Sequence, residues 1–129
     1  MVVMSSLPVK GMEFVGLILW IDDNHFAAEL LVKVFKKRHL PFYHLAQVKD
    51  FSYLIDDLKP ALIVLDSQTA LKELAAFKQQ YQQSAIMRIT PVVVMGDWDN
   101  LDFIDQKRGW LERKFDPFTI PDKLKSFQA

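Results

Sequence analysis

The sequence predicts one α/β domain, a doubly wound parallel sheet of five strands alternating with five helices. Three observations predict it. Two strongly apolar runs, at 15–21 and 61–65, each stop at carboxylates, Asp22-Asp23 and Asp66. The second run follows a turn signal, Lys59-Pro60, and a continuous apolar run so bounded reads as a strand buried on both faces. Apolar segments of strand and helix period then alternate along the chain in units of about 20 to 25 residues.

Each element has its own justification. The first strand, 15–21, ends at the acidic pair, and Asn24 can cap the following helix by accepting a free backbone N–H. Phe26, Leu30, Leu31, Val34 and Phe35 recur at helical spacing, and the basic end, Lys33 with Lys36-Lys37-Arg38-His39, suits the negative end of the helix dipole. Pro41 closes that connection, and Phe42-Tyr43-His44-Leu45 reads as the second strand. Residues 50–58 form a short helix with apolar face Phe51, Leu54, Ile55 and Leu58. The third strand runs to Asp66. Residues 71–83 read as one helix that sets Leu71, Leu74, Ala75, Lys78 and Tyr81 against a Gln-rich outer face. The fourth strand, 91–95, stops at Gly96. Leu101, Phe103 and Ile104, with a stop at Gly109, predict a fourth helix whose acidic start holds Asp97, Asp99, Asp102 and Asp105. Residues 110–115 then form the fifth strand, with Trp110 in the core, and 121–127 the last helix.

A chain of 129 residues, 50% hydrophobic, fits one domain with one real core. Residues 1–13 read as a flexible leader and 14–129 as the domain. Sixteen basic and sixteen acidic residues leave no net charge, which argues against a nucleic-acid footprint. No segment has the length or composition of a signal peptide or membrane span. With no cysteine, disulfides and thiolate metal sites are excluded, and a cytoplasmic location is expected. His25, His39 and His44 are not at metal-ligand spacing. There is no Gly-rich phosphate loop, serine elbow or His-Glu-x-x-His stretch, so the expectation is a non-enzymatic domain. Flavin is excluded because an acidic pair stands where its phosphate would bind.

In an open parallel sheet, ligands sit just past the carboxyl ends of the strands. Two strands thus deliver Asp22, Asp23 and Asp66 to one rim. An Asp in such a place also serves plainly as a turn residue or helix cap. The motifs taken together resemble a response-regulator receiver domain, a CheY-like fold of strand order 2-1-3-4-5. Ile21-Asp22-Asp23-Asn24 matches the acidic pair of that family, Leu62-Ile63-Val64-Leu65-Asp66 its phosphoacceptor strand, and Thr90-Pro91-Val92-Val93-Val94-Met95 its fourth strand. Asp116-Pro117-Phe118 falls where Lys-Pro-Phe is usual. The likeness covers about residues 14–127.

The resemblance implies Asp66 as phosphoacceptor. It also implies a Mg²⁺ site of Asp23, Asp66 and the Gln68 backbone carbonyl, with Asp22 binding through water. Its partners would be a histidine kinase or an effector, met on the face of fourth helix, fifth strand and fifth helix. The residues depart from the family where the switch lies. Gly96 replaces its Thr or Ser, Asp116 its Lys and Arg113 its switch aromatic, and Ser67-Gln68-Thr69-Ala70 follows the phosphoacceptor without the usual Met-Pro and Gly. Loss of one preorganised donor costs about 3–4 kcal/mol in a transition state. A degenerate pseudo-receiver working as a phosphorylation-independent docking module is therefore expected. The alternative is a divergent active receiver phosphorylated on Asp66 with Mg²⁺. Four carboxylates at one rim repel; a weakly bound Mg²⁺, a retained proton, or Arg113 or Lys114 as internal counter-ion would relieve them. The family's Lys-Pro bond is commonly cis, so Asp116-Pro117 is expected to be cis.

Overall fold

A computed structural model describes residues 16–127; the leader expected over 1–13, and Phe14 and Val15 after it, lie outside the described residues. In chain order the elements are β1 (Ile18–Ile21), α1 (His25–Lys37), β2 (Phe42–Leu45), a 3₁₀ turn (Val48–Asp50), α2 (Phe51–Leu58), β3 (Leu62–Asp66), α3 (Ser67–Leu71), α4 (Leu74–Gln83), α5 (Ala85–Ile89), β4 (Val92–Met95), β5 (Lys107–Leu111), a second 3₁₀ turn (Pro117–Thr119) and α6 (Ile120–Lys125). All strand pairs are parallel, and the sheet order is β2-β1-β3-β4-β5. That is the expected 2-1-3-4-5 arrangement.

Strand alternation divides the core into two layers. Leu19, Ile21, Ile63, Leu65, Val92 and Val94 pack beneath α2 and α4 with Phe51, Ile55, Phe77 and Tyr81. Ile18, Trp20, Leu62, Val64, Val93 and Met95 pack against Leu31 and Phe35 of α1 and Ile120 and Leu124 of α6. Burial of each large apolar side chain contributes about 1.5–3 kcal/mol. This explains why β1 and β4 are apolar throughout and β3 is apolar up to its last residue, Asp66: all three are covered on both faces. Ile21 lies opposite Leu65, so the next residue in step on each strand is a carboxylate, Asp22 beside Asp66.

The structure corrects several expectations. No helix spans 97–106. Asp99 N–H donates to Asp97 Oδ1 (3.1 Å), Asn100 is left-handed at φ 66°, and Leu101 and Ile104 plug the core from successive turns. Short Asp and Asn side chains bond to nearby backbone there, which favours turns over a helix. The expected docking face therefore lacks its fourth helix. The fifth strand begins earlier, at Lys107 and not Trp110, and ends at Leu111; Trp110 is 56% exposed, not core. The helix read over 71–83 is the end of one helix, α3, and the whole of a second, α4. A break after Leu71 changes the phase, so Leu74, Phe77 and Tyr81 point inward while Leu71, Ala75 and Lys78 are exposed. On α1, Phe26 and Leu30 fall outside the buried stripe of Ala28, Leu31, Val34 and Phe35. No cis peptide occurs among the described residues, so Asp116-Pro117 is trans.

Candidate functional site

The rim gathers Asp22, Asp23 and Asp66, with one carboxylate oxygen of each within 4.8 Å of the others. β1 brings the first two. Asp22 is buried: its N–H donates to the Leu45 carbonyl (3.0 Å), its carbonyl lies 2.5 Å from His44 Nε2, and its Oδ1 accepts the Asn24 N–H (3.1 Å). A carbonyl only accepts, so His44 must carry its proton on Nε2. Asn24 in turn caps α1 as expected, its Oδ1 accepting the Ala27 N–H (3.2 Å).

Asp66, at the end of β3, is fully buried. Its Oδ2 accepts both the Thr69 N–H (3.1 Å) and the Thr69 hydroxyl (2.7 Å), so it caps α3. The Thr69 hydroxyl also accepts the Asp23 N–H (3.2 Å), tying β1 to α3. Asp66 Oδ1 is held by the Arg113 guanidinium. Arg113 follows β5 and must reach across the end of β4 to meet β3. That end is Gly96, which has no side chain to obstruct it. A second cation, Lys72, pairs with Asp23 Oδ2. Two cations thus face three carboxylates.

The electrostatics follow from these partners. Lys72 holds the Asp23 carboxyl below the usual carboxylate range, against some opposing burial, and Asp23 holds the Lys72 ammonium up in return. Burial pushes Asp22 up, and the charges of Asp66 and Asp23 add to it, while the Asn24 N–H opposes the shift. The Trp20 indole N–H approaches Asp22 too loosely to count as a hydrogen bond, yet its positive edge still favours the charged carboxylate. Because folding raises the Asp22 pKa, the folded state binds that proton more tightly than the unfolded chain, and stability falls as pH rises through the folded value. In chelator-treated buffer Asp22→Asn, which keeps the acceptor for Asn24, is expected to raise stability by on the order of 1 kcal/mol at neutral pH. The gain should fade once acid protonates Asp22 in both states. Urea titrations at neutral and acid pH check this; a gain that is flat with pH would show that Asp22 carries no burial penalty.

Several expected site residues stand elsewhere. Gln68 lies in α3, so its carbonyl points along the helix toward Leu71 and away from the carboxylates at the helix start. It is not placed as a ligand. Asp116 is not in the carboxylate group; its Oδ1 accepts the Phe118 N–H (3.0 Å) and caps the second 3₁₀ turn. Of the two counter-ions expected, Arg113 is on Asp66, while Lys114 is exposed and makes no ion pair with the cluster. Gly96 is left-handed (φ 107°), and a Cβ there would collide with Ser67 Oγ. The sequence reading missed Thr69 and Lys72. Thr69 was detectable as the residue three after a candidate cap, where a capping box closes; Lys72 carries no comparable signal.

Three carboxylates are the hard oxygen set that a divalent cation such as Mg²⁺ takes. Asp22, Asp23 and Asp66 would hold it, and it would supply charge neutralisation. It must share or displace the oxygens now held by Arg113 and Lys72, so the residues fit the ion only in competition with the protein's own cations. A cavity of about 490 Å³ opens beside the rim, lined by Asp23, His25, Lys49, Thr69, Lys72 and Glu73, among others. Asp66 is not on its wall.

No protein-family model matches the chain, and no curated protein matches it. Solved structures do. The chain is similar to a response-regulator signal receiver domain from Bermanella marisrubri at 20% identity and TM-score 0.65, over 88% of this chain and 98% of that one. It is similar to chemotaxis protein CheY4 of Vibrio cholerae at 15% identity and TM-score 0.70, over 88% and 99%. It is also similar to the pseudo-receiver domain of the CikA protein at 19% identity and TM-score 0.58, over 89% and 98%. The chain has the receiver-domain, CheY-like fold.

Proposed function

We propose that this chain is a pseudo-receiver of two-component-type signalling, a docking module that works without phosphorylation and without enzymatic activity. One observation carries the reading: Asp66 is buried with both carboxylate oxygens engaged, Oδ1 by Arg113 and Oδ2 by Thr69. A carboxylate must present a free, solvent-reachable oxygen to attack phosphorus. Here the strand-four hydroxyl and the strand-five lysine of the receiver pattern are Gly96 and Asp116, and Asp116 is spent on a cap. The receiver likeness supplies the signalling context, and the likeness to a domain titled pseudo-receiver agrees with it. Incubation with acetyl phosphate and Mg²⁺ followed by intact mass measurement should show unmodified protein. A stoichiometric phosphoryl adduct on Asp66 would defeat the reading.

A second reading has one observation in its favour, the three-carboxylate group. In it the chain is a divergent active receiver, phosphorylated on Asp66 by a histidine kinase with Mg²⁺. Trp20 lies under the rim, so a productive Mg²⁺ site would quench tryptophan fluorescence and Asp66→Asn would abolish the response. With Arg113 and Lys72 in place, the titration is expected to be flat at millimolar Mg²⁺.

A further inference from the structure

β2 is an edge strand: among the described residues it pairs with β1 alone. Ile18 N–H donates to the Pro41 carbonyl (3.1 Å) and Asp22 N–H to the Leu45 carbonyl (3.0 Å). Alternate residues of a parallel strand bond to its partner, so Pro41, Tyr43 and Leu45 turn their backbone groups to β1. Phe42 and His44 turn theirs outward, where no described strand takes them. Beside this edge, on the α1 side, lies a groove of about 470 Å³ lined by Val32, Lys36, His39, Leu40, Pro41 and Phe42. Val32 is 43% exposed there, and Lys36 has no ion pair among the described residues. An open edge beside an apolar groove is a template for one more strand, and proteins generally cover such an edge.

We infer that residues 1–15 of the same chain close this edge, an extended pass through Leu7 and Val9 pairing with β2 and covering the groove. Nine of those fifteen residues are apolar, against one Lys and one Glu, which is not the composition of a segment left in water. Leu7 and Val9, two apart, share one face of an extended pass and fill the groove. Pro8 between them blocks a helix and fits an outermost strand, whose alternate N–H groups face solvent. The approach is short. Gly16, where the described chain begins, is two residues before Ile18, whose N–H is bonded to Pro41 at the groove wall. A strand beyond β2 lies two strand spacings from β1, roughly 9.6 Å, and residues 10–15 can span about 20 Å. Glu13 stands in that return, where Lys36 can meet its charge. A second copy of the chain is disfavoured as the source of the strand, because so short a tether gives a local concentration of order millimolar. The closure is independent of whether Asp66 is phosphorylated.

The chain has no cysteine, so Ser5→Cys accepts a single nitroxide in the full-length protein. The amides of Val32, His39 and Tyr43 should then broaden in the magnetic resonance spectrum, and to the same degree on dilution. Leu7→Ser with Val9→Ser should abolish the broadening, and so should Val32→Glu, a change at an exposed position; unchanged circular dichroism verifies the fold. In the chain without the label, hydrogen exchange at the Phe42 and His44 amides should speed up at least about tenfold with Leu7→Ser and Val9→Ser. No broadening at the groove, or broadening and exchange indifferent to the variants, would overturn the inference. Two further outcomes would do the same by naming another occupant. One is broadening found only between nitroxide-bearing and separately isotope-labelled chains, which assigns the strand to a second copy. The other is transfer of the nitroxide to phosphatidylcholine vesicles with the groove amides unmoved, which assigns residues 1–15 to a membrane surface.

Discussion

Arg113→Ala is expected to destabilise the protein by about 2 kcal/mol and, at the same time, to open the rim to Mg²⁺. Breaking a buried ion pair by removing one partner typically costs about 3–5 kcal/mol. Here the Arg113 side chain is 43% exposed while the Asp66 side chain is 1% exposed. Water can follow the lost guanidinium to Asp66 Oδ1, and Thr69 still serves Oδ2, so the cost falls below that range, to about 2 kcal/mol. The same change in an Asp66→Asn background should cost little, because no buried charge is left behind. The coupling in this double-mutant cycle is therefore expected near 2 kcal/mol. Added Mg²⁺ should stabilise Arg113→Ala more than wild type, since a ligand that binds only the folded form at about 100 times its Kd adds about 2.7 kcal/mol. Denaturant titrations with and without Mg²⁺ measure all three quantities. Additive single-site effects, or equal Mg²⁺ responses, would mean that Arg113 is a surface contact and not the counter-ion of the site.

Arg113 also marks where the sequence stops being legible. β1, β3 and β4 could be read because burial on both faces leaves their composition no freedom, and the carboxylates at their ends come with them. β5 is an edge strand with exposed Lys107, Arg108 and Trp110, so its bounds are weakly written. A strand read over 110–115 left Arg113 and Lys114 as equal candidates for the counter-ion. The strand ends at Leu111, and Arg113 turns back to Asp66 while Asp116 caps a turn. The fourth helix failed for a related reason. Leu101, Phe103 and Ile104 do reach the core, but Asp97 and Asn100 hold the backbone in turns, and local side-chain bonding outweighs apolar spacing. Lys72 was invisible because its partner is set by the fold, across 49 residues of chain.

Gly96→Ala is expected to cost about 3 kcal/mol, more than a typical single substitution. Two causes add. The residue stands at φ 107°, a region that L side chains avoid at a cost of about 1–3 kcal/mol. A Cβ would also collide with Ser67 Oγ and stand 3.4 Å from Ser67 Cβ; overpacking of this kind costs about 1–3 kcal/mol. Ser67→Ala in the same chain removes the colliding oxygen and leaves the backbone strain, so the penalty should fall to about 1–2 kcal/mol. Gly96→Thr should be at least as costly as Gly96→Ala, because it adds a branched side chain at the same crowded point. This bears on function as well as stability. Ser67 Oγ occupies the volume that a Cβ at position 96 would fill, so a hydroxyl placed there by Gly96→Thr requires Ser67 to turn aside or be replaced as well. Equilibrium unfolding of the single and double variants decides it. If Gly96→Ala lies within about 0.5 kcal/mol of wild type, or Ser67→Ala gives no relief, the two residues are not packed against each other and a side chain at position 96 is tolerated without a second change.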